Sequence, residues 1–78
     1  MKALMWFYQW HVLDVYMEDS LEDAFSSAMS MEDAGEGVVD VIEHGGKKYT
    51  TASPEFKAYE KKRRAEEIEG LREFSKTV

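Results

Sequence analysis

Cysteine is absent from all 78 residues, so disulfides cannot reinforce this chain and thiolate metal ligands are excluded. No apolar run approaches the roughly 18 residues a membrane helix needs. The opening "MKALMWFY" resembles the start of a signal peptide, but Gln9, His11 and Asp14 cut it short. These absences lead us to expect a soluble, cytoplasmic protein. Basic residues are almost missing from the first part: residues 1–46 hold one Lys against ten Asp or Glu, giving −9. Residues 47–78 hold nine Lys or Arg against six Glu, giving +3, and the two parts sum to the chain's −6. An acidic body with a mildly basic tail is a poor general binder of nucleic acid, because phosphate contacts need a clustered positive surface. It suits a basic protein surface better. The length allows a single domain over 1–78, with a core that is only just sufficient.

Aromatic residues are plentiful. In "WFYQWHVLDVY", residues 6–16, four of the first five residues carry rings and Tyr16 adds a fifth. Residues 6–17 are rich in aromatic and β-branched types without helical spacing, which predicts a strand. From Leu21 the period changes: Leu21, Ala24, Phe25, Ala28 and Met29 mark one face of a helix. Asp19 or Ser20 caps its start and Gly35 its end. The acidic cluster Glu18, Asp19, Glu22 and Asp23 lies at that helix's positive end, where carboxylates are stabilising.

"VVDVIEHGGKKYTT" predicts a β-hairpin turning at Gly45-Gly46. Counting outward pairs His44 with Lys47, Glu43 with Lys48, Ile42 with Tyr49, and Asp40 with Thr51. Ser53 followed by the only proline, Pro54, marks the start of a second helix. The expected fold is therefore α+β, in the order β-α-β-β-α. A three-stranded sheet and first helix occupy 1–53, and a long C-terminal helix occupies 54–78.

Alternation along these strands predicts two apolar faces. One carries Trp6, Tyr8, Trp10, Val12, Asp14, Tyr16, Val38, Asp40, Ile42 and Tyr49. The other carries Phe7, Gln9, His11, Leu13, Val15, Val39 and Val41, and the first helix is expected to cover it. The last helix is expected to half-cover the ring-rich face through Phe56 and Tyr59. Its charged "EKKRRAEE" then grips nothing, and Ile68, Leu71, Phe74 and Val78 form a separate stripe expected to overhang and self-associate.

Catalytic and metal-binding patterns are weak. His11 and His44 belong to no metal-ligand spacing, and no Ser, Thr or Lys has an activating base near it in sequence. Asp14 and Asp40 would form a carboxylate pair if their strands were adjacent. "KKRR" at 61–64 resembles a nucleic-acid patch, yet Glu60–Arg64, Lys62–Glu66 and Arg63–Glu67 are opposite-charge pairs that support an exposed helix.

Taken whole, this compact, acidic, cysteine-free and aromatic-rich chain resembles the short accessory proteins encoded by bacteriophages. The resemblance is one of composition across the full length. It implies a protein that binds a host or defence protein and blocks it, in the cytoplasm of a bacterial host. The residues themselves lead to a non-enzymatic interaction protein without cofactor or metal, forming a homodimer. Trp6, Tyr8, Trp10 and Tyr49 are its expected anchors, because Trp and Tyr dominate interface hot spots. The acidic cluster Glu18, Asp19, Glu22 and Asp23 would steer a basic protein partner. The alternatives are a nucleic-acid-associated regulator using Lys57 to Arg64 and a small-ligand binder with an aromatic pocket between subunits.

Overall fold

The computed structural model describes the backbone of residues 1–76 and the side chains of residues 1–68. Four antiparallel strands and two helices follow one another as β1 (Ala3–Gln9), β2 (Val12–Glu18), α1 (Leu21–Asp33), β3 (Val38–His44), β4 (Lys47–Tyr49) and α2 (Pro54–Lys76). The strands lie in the order β2-β1-β3-β4. The α+β class stands as expected, with one more strand than the sequence reading counts.

The extra strand comes from residues 6–17, which are not one strand. The chain reverses at Trp10-His11, where both residues have positive φ, 54° and 65°. Gln9 pairs with Val12 across this two-residue turn. Such turns favour Asn and Gly because a Cβ costs about 1–2 kcal/mol per residue in the left-handed region. Trp-His therefore carries no turn signal. Length does: a 12-residue strand exceeds the usual range of about 3–10.

The second hairpin forms as counted. Gly45 and Gly46 have positive φ, and Ile42, Glu43 and His44 pair with Tyr49, Lys48 and Lys47. The Asp40–Thr51 pair does not form. β4 ends at Tyr49, and Asp40 is the unpaired residue of a β-bulge, since Trp6 pairs with Val41 while Phe7 pairs with Val39.

Helix α1 begins at Ser20, whose hydroxyl accepts the Asp23 N–H at 3.1 Å. It ends in a Schellman motif: the Gly35 N–H donates to the Glu32 carbonyl and the Glu36 N–H to the Met31 carbonyl. The chain then passes tightly behind β1. A Cβ on Gly37 would lie 2.7 Å from the Tyr8 carbonyl oxygen, so only glycine fits there. Helix α2 starts after Ser53 as predicted, although the Ser53 hydroxyl turns back to accept the Thr50 N–H at 2.8 Å.

Both helices pack on one side of the sheet. Ala24, Phe25, Ala28, Met29 and Met31 of α1 are buried against Ala3, Met5 and Phe7 of β1 and Val39 and Ile42 of β3. Phe25 is the hub, meeting the rings of Tyr49, Phe56 and Tyr59 at centroid distances of 5.8, 5.4 and 5.7 Å. Among the described side chains of α2, Phe56 is the buried one and Tyr59 packs beside it. The second helix therefore lies next to α1 and not on the ring-rich face, contrary to the sequence reading. Arg64 ties the pair by donating to Asp33 of α1 at 3.1 Å, and that hydrogen bond is the leading cause that raises its pKa.

Beyond Arg63 the described side chains of α2 are exposed, and Ile68 is 51% accessible. The radius of gyration, 14.3 Å, exceeds the roughly 11–12 Å expected of a compact chain this long. The overhang of the last helix is thus present in the backbone. The side chains of Leu71 and Phe74, and all of Val78, lie outside the described residues.

Candidate functional site: the open face of the sheet

Pairing assigns every strand residue to a face, because residues directly opposite each other point the same way. The side away from the helices carries Leu4, Trp6 and Tyr8 from β1. Opposite them stand Met17, Val15 and Leu13 from β2. Val41 and Val38 of β3 flank Trp6 and Tyr8. These residues form one contiguous apolar surface. Met17 and Val38 are 65% and 64% accessible, Tyr8 and Leu13 are also exposed, and no described element covers them.

This partition differs from the expected one for two physical reasons. The Trp10-His11 turn makes even-numbered residues of β1 oppose odd-numbered residues of β2, so Leu13 and Val15 share a face with Trp6 and Tyr8, and Val12, Asp14 and Tyr16 do not. The bulge at Asp40 shifts β3 by one residue, so Val38 and Val41 lie on the same side although their numbers differ by three. Leu13, Val15 and Val41 are therefore not under α1. Ile42 and Tyr49 are on the helix side.

The expected anchors are accordingly divided. Trp6 and Tyr8 sit on the open face. Trp10, 89% accessible, projects from the turn at one end of the sheet. Tyr8, Trp10 and His11 face Gly35, Glu36, Gly37 and Val38 across a shallow cleft of about 490 Å³. Tyr49 is half-buried edge-on to Phe25, with an interplanar angle of 84°. The Trp6 indole nitrogen is buried and has no acceptor among the described residues.

Charges are sparse on this surface. Glu43 and Lys48 stand directly opposite each other. At the same end of the sheet Lys2 Nζ lies 3.3 Å from Asp19 Oδ1. Glu18, by contrast, faces the helix side and accepts the Ser27 hydroxyl at 2.9 Å. Glu22 and Asp23 are exposed in the first turn of α1. The acidic cluster is thus spread over the sheet end and the helix side, with two members already paired to neighbours.

One edge of the sheet is β2, seven residues long, and the other is the three-residue β4. The pairs of β2 alternate outward from the turn, which directs the Val15 N–H away from β1. That N–H donates to the carboxylate of the preceding Asp14 at 2.8 Å. Asp14 and Asp40 do not form a pair, because β1 lies between their strands.

A second concavity, about 380 Å³, runs between α1 and α2. Leu21, Phe25 and Tyr59 floor it, and Glu22, Lys62, Arg63 and Glu66 rim it. Arg63 donates to the Tyr59 hydroxyl at 2.8 Å, with its guanidinium 5.8 Å from that ring's centroid. Among the described residues no three His, Asp or Glu side chains converge as metal ligands, and no helix is long and apolar enough to cross a membrane. No protein-family model, curated protein or solved structure matches the chain.

Proposed function

We propose that this is a non-enzymatic interaction protein that binds the surface of a protein through the open face of its sheet. One observation supports the reading above all: an apolar surface built from β1, β2 and β3 lies opposite both helices and is left uncovered by the described residues. Monomers seldom leave such a patch exposed beyond a few hundred Å² unless it serves as a binding surface. Trp6, Tyr8 and, at the end of the sheet, Trp10 supply the rigid rings that dominate binding hot spots. Glu22 and Asp23, exposed at the start of α1, would steer a basic partner without belonging to the buried patch. Blocking of a host or defence protein, as the phage-like composition implies, is the role this surface would serve in a bacterial cytoplasm.

A nucleic-acid reading has less support. Lys57 and Arg64 approach Glu60 at 3.9 and 3.6 Å, Arg64 also holds Asp33, and Arg63 is committed to Tyr59.

The test compares capture of proteins from the source cell's lysate by the wild type, by a Leu13→Lys/Met17→Lys variant and by a Lys61→Gln/Lys62→Gln variant. The reading expects capture to be lost only in the first. Capture unaffected by the first variant and abolished by the second would overturn it.

A further inference from the structure

We infer that the open face, in the absence of another partner, is covered by the same face of a second copy of this chain. The inference rests on the reading of that face as a binding surface and adds its resident occupant.

Charge argues for it first. The chain carries −6 overall, and two copies meeting through their acidic parts would repel. On the open face the charges that pairing places there, Glu43 and Lys48, cancel across the strands. The nearby Lys2–Asp19 ion pair cancels as well. Two such faces can approach without like charges meeting, and nothing on them selects a basic partner over a neutral one.

Area argues in the same direction. Three strands of seven residues and the three-residue β4, spaced about 4.8 Å apart with about 3.4 Å per residue, give a face of roughly 400 Å² in projection. Two copies bury roughly 800 Å² counted this way, and more once protruding side chains are included, which reaches the lower end of specific interfaces. Sheets pack face to face at about 10 Å with their apolar sides interdigitating. The expected product is a weak dimer, half-associated at about 10–100 μM.

The alternative route, strand addition, is obstructed along the long β2 edge, and the β4 edge offers only three residues. The central outward N–H of β2 is already bonded to Asp14, whose carboxylate would have to be stripped from it before another strand could pair. Face-to-face packing leaves the edge untouched. It also leaves the Trp10 turn and the acidic start of α1 outside the interface.

Sedimentation equilibrium of the full chain over about 5–500 μM, at about 0.1 M and about 1 M salt, tests this. A monomer–dimer equilibrium that does not weaken at high salt is expected. The Leu13→Lys/Met17→Lys variant should dimerise at least about tenfold more weakly, because each copy then carries like charge into the contact. Both positions are exposed, and circular dichroism of the variant guards against misfolding. A chain ending at residue 67 should dimerise like the full one. A strict monomer, a dimer that ignores the lysine substitutions, or a dimer lost on truncation alone would overturn the inference. A strict monomer whose lysine variant still loses partner capture would sink the second-copy assignment and leave the binding face standing. If neither self-association nor capture responds to the substitutions, both fail.

Discussion

Phe25 of α1 meets Phe56 of α2 edge-on, with ring centroids 5.4 Å apart and an interplanar angle of 87°. Through this contact the first turn of the last helix joins the core, and Phe25 is, among the described residues, the one ring that touches Tyr49, Phe56 and Tyr59 together. Truncating a buried Phe typically costs about 3–5 kcal/mol. Phe25→Ala should therefore remove most of the stability of so small a domain, read as a fall in the urea midpoint or outright unfolding. Tyr8→Ala, on the open face, should cost the monomer under about 1 kcal/mol. Equal losses for the two would mean that the open face belongs to the monomer's core.

The Trp10-His11 turn holds two side-chain-bearing residues at positive φ. Replacing them by Asn-Gly should relieve strain and stabilise the fold by about 1–2 kcal/mol. If Trp10 is a binding anchor, the same change should weaken partner capture, so stability and binding would move in opposite directions. A variant that is no more stable than the wild type would show that the turn is held by contacts other than backbone preference.

Asp14 occupies the one outward N–H at the centre of the β2 edge. Asp14→Ala frees that donor on a strand whose other residues up to Met17 are apolar or aromatic, and long exposed edges of this kind recruit other strands. The variant should form higher oligomers, seen as rising light scattering at concentrations where the wild type stays clear. Unchanged scattering would mean that strand twist, and not the carboxylate, protects the edge.

Among the described side chains of α2, only Phe56 and Tyr59 join the core cluster. A chain ending at residue 67 should keep its sheet and α1, with a thermal midpoint within a few degrees of the full chain. Collapse of the fold on truncation would place the distal residues in the core.

Local chemistry was enough for the elements whose signals are short-range. Gly45-Gly46 required a tight turn, Ser20 and Gly35 bounded α1, and Ser53-Pro54 opened α2. Each depends on backbone preferences within a few residues, and the structure follows them. The aromatic content of the open face was legible for the same reason, since Trp6 and Tyr8 sit in plain view, with Trp10 in the turn at its end.

The membership of that face was decided by tertiary structure. One turn made of residues that disfavour it, and one extra residue at Asp40, each exchanged the two sides of a strand. A strand has a period of two, so a single unmarked residue sends every later side chain to the opposite face. Sequence alone supplied the rings and the apolar residues. Which of them packed beneath the helices, as Ile42 and Tyr49 did, and which were left facing outward, as Leu13 and Val41 were, depended on pairing between strands that no local signal specified.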